Sequence, residues 1–139
     1  MAAATRVDVQ TSFLSRKRVL IQSVILSIPS YVMSCFVIPD SVLSELESMA
    51  AKIFWDQDCN RKIHWVAWSA LCKSKEDVGL GFKQLRFQNM ALLSKQAWRL
   101  AVNPQGLAHQ VVRAKYFPNS NFLSAQIGSN PSFTWLSIL

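Results

Sequence analysis

Apolar residues recur three and four positions apart along most of the chain, and the helices this spacing predicts divide it into segments. Leu20, Ile21, Val24, Ile25 and Ile28 place a heavily buried helix in the charge-free stretch from Val19 to Ile38. Pro29 lacks an amide hydrogen and crowds the preceding turn, which predicts a kink or an end to the helix. Tyr31 to Ile38 then continues as helix, with a strand as the alternative that its residue types favour. Asp40 is placed as an N-cap, ahead of a stripe of Val42, Leu43, Leu46, Met49, Ala50, Ile53 and Phe54. Glu45 and Glu47 lie early in that helix and Lys52 late, as the helix dipole favours. A long helix from Gln84 to Val102 turns Met90, Leu93, Ala97, Leu100 and Ala101 to one side and Gln84, Gln88, Lys95 and Arg99 to the other. Asn103-Pro104 stops it. From Gly106 to Tyr116 a shorter helix turns Leu107, Val111 and Ala114 inward. Ser120 to Asn130 reads as loop, and Asn130-Pro131 as the cap and first residue of a last helix with Phe133, Trp135, Leu136 and Ile138.

The stretch from Arg61 to Leu85 is the expected hub. Trp65 and Trp68 sit three apart, with Leu71 and Cys72 on the same side of a short helix. A charged turn, Lys73-Ser74-Lys75-Glu76-Asp77, leads to Gly79-Leu80-Gly81, where glycines suit positive φ or a close backbone approach. Indoles bury large apolar areas, so Trp65, Trp68, Leu46, Ile53, Leu93 and Ala97 are expected in or near one core. Where the apolar end of the chain serves as a protein contact, exposed Trp135, Leu136 and Ile138 would mark it.

Ile63-His64-Trp65, Trp68, Leu71-Cys72-Lys73, Gly79-Leu80-Gly81-Phe82 and Leu85, followed by Asn89, Ala91-Leu92-Leu93 and Lys95-Gln96-Ala97-Trp98-Arg99-Leu100, carry a resemblance. The pattern resembles plant LINE-type non-LTR retrotransposon polyproteins, in the part just after the reverse transcriptase palm. It is also similar to short uncharacterised plant mitochondrial proteins. The likeness extends upstream from Ile28 to Phe36 and downstream to Ala114-Lys115-Tyr116-Phe117-Pro118 and Gly128 to Trp135. It departs from the family at Ser15-Arg16-Lys17-Arg18, where residues are lost, and at Asp56-Gln57-Asp58. The resemblance implies a thumb or connection region that grips a template–primer duplex, in a nuclear or mitochondrial protein. It also implies an incomplete piece of a larger polyprotein, upstream of a zinc-binding segment.

The chain of 139 residues is long enough for one domain with a real core. The expected fold is mostly α, a single helical-bundle-like domain over residues 13–117. A disordered leader, 1–12, precedes it, and a loop with the start of a helix, 118–139, follows. Net charge is +7, and no Asp or Glu occurs after Asp77, which favours an anionic partner. Three cysteines argue against a disulfide framework. Val19 to Ile38 is long enough to span a bilayer, but Gln22, Pro29, Tyr31 and its serines dilute the hydrophobicity, so no membrane partner is expected.

Candidate chemistry is sparse. Cys59, His64 and Cys72 lack the paired spacing of zinc ribbons, His109 is a remote fourth ligand, and no metal or other cofactor is expected. Polymerase chemistry needs carboxylates holding two metal ions; the close pairs Asp56/Asp58 and Glu76/Asp77 read as solvated turn residues. Gly79-Leu80-Gly81 lacks the lysine of a phosphate-binding loop. No catalytic residue is assigned, and no enzyme activity is expected. Two functions of different kinds follow. The first is sequence-independent binding of an RNA or DNA duplex through Arg16, Lys17, Arg18, Lys83, Lys95, Arg99, Arg113 and Lys115. The alternative is an inert remnant or protein-interaction module, whose apolar C-terminal surface meets the missing palm or another protein.

Overall fold

The structure, a computed structural model, describes residues 14–55 and 66–139. The expected leader, the loop at 56–61, and Cys59, His64 and Trp65 lie outside the described residues. The expected mostly helical class is what forms, with no strand among the described residues. The helices are α1 (residues 14–20), α2 (Ser30–Met33), α3 (Asp40–Trp55), α4 (Trp68–Leu71), α5 (Leu85–Val102), α6 (Leu107–Tyr116) and α7 (Phe133–Ile138). The chain folds as two compact units, Met1–Pro29 with Pro39–Phe87, and Ser30–Ile38 with Gln88–Leu139.

In the first unit α1 runs into a π-helical turn, Ile21–Ile25, closed by the Leu26 amide on the Ile21 carbonyl at 2.9 Å. Serine hydroxyls bond back to the backbone here, Ser23 to the Val19 carbonyl and Ser27 to the Gln22 carbonyl, and Pro29 follows. Such back-bonding loosens a helix, and of the two outcomes expected at the proline, the helix ends ahead of it. Among the described residues, no helix is long and apolar enough to cross a membrane. The π turn also changes the buried set. Ile21 and Leu26, five apart, are buried, while Leu20, Val24 and Ile28 are exposed, the last at 73 %. The expected three–four spacing fails because a π turn advances the buried position by one residue.

Helix α3 packs on the π turn and on α4. Leu43, Ala50, Ala51 and Phe54 are its buried residues, and Leu46 is half-buried. Val42, Met49 and Ile53 are exposed, so the buried stripe is narrower than the apolar pattern implied, and Ile53 does not join the core. Asp40 is the first helical residue rather than a side-chain cap, and Arg86 lies 3.7 Å from its carboxylate. Phe82 closes this core, stacked on Trp68 at 4.9 Å and edge-on to Phe54 at 5.6 Å.

Phe82 is delivered there by the glycine turn. Leu80 and Gly81 donate to the carbonyls of Leu71 and Lys73, both at 2.9 Å, and Gly79 donates to Ser74 at 2.8 Å. Gly81 has φ +67, and a Cβ on Gly79 would overlap the Lys73 carbonyl. Both reasons for glycine are therefore realised, one at each position. Glu47 accepts from the Leu85 amide at 2.9 Å and so satisfies a donor at the start of α5.

In the second unit Met33, Leu93, Leu100, Phe117 and Trp135 are buried. Asn89 is buried with them, and its carboxamide binds the backbone of residues 33–38. Two expectations fail here. Trp135 is 2 % exposed, stacked on Tyr116 at 4.6 Å and packed against Phe117 and Phe122. Trp135 is core, while Leu136 stays exposed and Ile138 is half-buried. In α6, Leu107 is 78 % exposed, and Val111 and Ala114 also face out. His109 is the buried residue, its Nδ1 2.6 Å from the Leu100 carbonyl. That carbonyl lies in the last turn of α5, where intrahelical partners run out, so a side chain is needed to satisfy it. A polar contact sets the rotation of α6 against its apolar pattern. The cap of α7 is also displaced, to Ser132, whose Oγ accepts from the Trp135 amide at 3.3 Å.

Candidate nucleic-acid interface

Helix α5 is built from Leu, Ala, Gln, Lys, Arg and Met around a few bulkier residues, with no interior Gly or Pro, which suits a long regular helix. Leu85, Asn89, Leu93 and Leu100 are buried along one face. Met90, expected inward, is exposed, because Asn89 takes the buried place beside it. The outer face carries Lys95 and Arg99, both exposed and one turn apart. Trp98 lies between them and is 70 % exposed.

On α6, Arg113 and Lys115 are exposed in the last turn, and the Lys115 ammonium lies 5.0 Å from the centre of the Tyr116 ring. Hydrogen bonding from Ser132 draws the Tyr116 phenol below its ordinary pKa, and Lys115 acts in the same direction. The second unit thus holds Lys95, Arg99, Arg113 and Lys115 and no Asp or Glu. Its surface charge has one sign.

The remaining candidates belong to the first unit. Arg16 and Lys83 are exposed, and Lys17 and Arg18 are half-buried. The structure brings Arg18 and Lys83 to the same glycine turn. The Arg18 guanidinium lies against Gly81, whose carbonyl accepts from Gln22 Nε2 at 3.0 Å. Lys83 shares with Gln22 and Leu26 a cavity of about 320 Å³. Unlike the second unit, this one mixes signs, with Asp40, Glu45, Glu47, Glu76 and Asp77 among its described residues.

Among the described residues no cluster of His, Cys, Asp and Glu could hold a metal. His109, the remote fourth ligand of the sequence pattern, is engaged with Leu100. Burial, aided by the Glu47 carboxylate, pushes the Cys72 thiol up to about 11, so it is protonated at neutral pH and a poor nucleophile. Ser74 and Asp77 bond to each other at 2.9 Å, as turn residues do.

Two residues escaped the sequence reading. Asn89 falls on the apolar face, where an amide breaks the hydrophobic pattern, and that break was the available signal. Trp98 lies next to Arg99 and off the buried line of α5. Its residue type alone points equally to core.

Comparison with known proteins places the chain among plant sequences. It is 42 % identical over 116 residues to an uncharacterized mitochondrial protein of Arabidopsis thaliana, a match covering 82 % of this chain and 75 % of that protein. It is 34 % identical over 98 residues to an Arabidopsis thaliana protein named "Putative ribonuclease H protein", covering 70 % of this chain but 16 % of that longer one. No protein-family model matches the chain, and no solved structure matches it.

Proposed function

Because the chain belongs to the family of the uncharacterized Arabidopsis mitochondrial protein, of which it covers three quarters, we propose that it is a non-catalytic, nucleic-acid-binding relative of a retrotransposon reverse transcriptase. In that reading it corresponds to the thumb or connection region that follows the polymerase palm. Its similarity to one short stretch of a much longer protein named for ribonuclease H supports descent from a multidomain polyprotein. Binding is to the phosphate backbone, without sequence readout, because exposed lysines and arginines neutralise phosphates and release counterions.

The observation that carries this reading is the charge of the second unit. Lys95, Arg99, Arg113 and Lys115 are all exposed, and no carboxylate side chain of that unit offsets them. In the first unit, Arg18 and Lys83 at the glycine turn supply a second basic point. Titration of a labelled duplex across a salt series tests the proposal. Affinity should fall steeply with salt, and a chain that binds neither the duplex nor a single strand even at low salt would sink it.

A further inference from the structure

Trp98 has no role in the fold that its exposure would explain. Among the described residues the other tryptophans are buried or half-buried; Trp98 stands open at 70 % on the outer face of α5. Lys95, three residues before it, is a neighbour on the same helix surface, and Arg99, one turn beyond Lys95, extends that exposed basic face beside the indole. Beside it runs a groove of about 460 Å³, lined by Met90, Leu93, Ala97, Leu123 and Ile138 with Trp98.

We propose that Trp98 is a stacking platform for an unpaired nucleobase, held by Lys95 and Arg99 on the flanking phosphates, so that the α5 face prefers single-stranded nucleic acid. The inference rests on the nucleic-acid-binding reading and specifies its substrate. Two physical arguments carry it. An apolar protein surface laid over Trp98 would draw Lys95 and Arg99 out of water, and this unit has no Asp or Glu to pair them. A nucleic acid strand supplies both needs at once, an aromatic face for the indole and an anion for each cation. Bases inside a duplex are already stacked on their neighbours and offer only their edges in the grooves. A single strand leaves the base face free.

The test uses the full chain, fluorescence anisotropy at low salt, and two probes: a fluorescein-labelled 15-mer of thymidine and a labelled 15-base-pair duplex. The expected result is tighter binding of the single strand than of the duplex. Trp98→Ala should weaken the single strand by about 5- to 150-fold, the range for losing one stacked base, and leave the duplex unchanged. Trp98→Phe should restore most of the loss, because it restores a ring rather than a fold. Trp98 is exposed, so the variants should keep the wild-type circular dichroism spectrum. If Trp98→Ala leaves the single strand unchanged while Lys95→Gln/Arg99→Gln weakens both probes, stacking is wrong and backbone binding stands. If neither probe binds at low salt, the underlying reading fails with it. If Trp98→Ala instead abolishes self-association on a sizing column and leaves the single strand unchanged, the face is a protein contact and the proposal is overturned.

Discussion

Asn89 holds the backbone amide of Ile38. Its Oδ1 accepts from Ile38 N at 2.9 Å, while its Nδ2 donates to the carbonyls of Met33 at 2.7 Å and Phe36 at 2.8 Å. One buried carboxamide therefore satisfies three backbone groups of a segment more than fifty residues away in the chain. That contact fixes residues 33–38 against the helix that carries the candidate interface.

Replacing Asn89 with Leu keeps the size and removes every one of those bonds. A buried backbone group left without a partner costs about 1–3 kcal/mol, and the Met33 carbonyl is buried while the other two groups are only part-buried, so Asn89→Leu should destabilise by roughly 1–3 kcal/mol. Urea denaturation followed by far-ultraviolet circular dichroism reads this directly. A loss below about 1 kcal/mol, the net worth of a single ordinary hydrogen bond, would mean that the segment is held by its apolar contacts instead.

The basic face of α5 makes a separable prediction. Lys95→Gln with Arg99→Gln should weaken duplex binding at every sequence tested. The slope of log affinity against log salt should become shallower by about 1.8, the worth of two phosphate contacts on B-form DNA. Neither side chain is buried, so stability should stay within about 0.5 kcal/mol of wild type. An unchanged slope would remove both residues from the interface.

Cys72 links pH to reactivity and stability. Its thiol is pushed from 9.0 to about 11, first by burial and then by the Glu47 carboxylate. Iodoacetamide at pH 8 should modify Cys72 about ten- to a hundredfold more slowly in the native chain than in urea, because the thiolate is the nucleophile. The sign for stability follows from the same shift. Folding favours the protonated thiol, so that contribution is fully present below pH 9 and is lost as pH rises through about 11. Equal native and denatured alkylation rates would contradict it.

The turn before Phe82 holds a strained residue. Val78 has φ +61 and its side chain is 97 % exposed, so a β-branched residue occupies left-handed backbone without burying anything in return. Val78→Asn should raise stability by up to about 1 kcal/mol, since asparagine visits that region readily. Gly79→Ala should do the reverse, because its Cβ would overlap the Lys73 carbonyl and push Phe82 from the core. Thermal melts of the two variants should move in opposite directions, and a shared direction would refute this account of the turn.

The sequence by itself determined the helical class, the extent of α5, its stop at Asn103-Pro104, and the need for glycine at Gly79 and Gly81. Of the eight basic candidates, Arg16, Lys83, Lys95, Arg99, Arg113 and Lys115 are exposed, as the cost of burying an unpaired charge favours, while Lys17 and Arg18 are half-buried. These features are local, set by backbone preference, chain charge and spacing along one element.

Only the tertiary structure decided how the helices are turned. Periodicity gives the angle between two residues on a helix, but it does not name the distant group that one face must satisfy. His109 turns α6 inward because a carbonyl near the end of α5 needs a partner, which leaves Leu107 and Val111 outside. Asn89 displaces Met90 from the buried line for a similar reason. Trp135 and Trp98 are the same residue type near similar apolar neighbours in sequence. One is enclosed by Tyr116, Phe117 and Phe122, and the other is left open between Lys95 and Arg99. Long-range contacts separate them, because the hydrophobic effect rewards buried area without regard to direction along the chain.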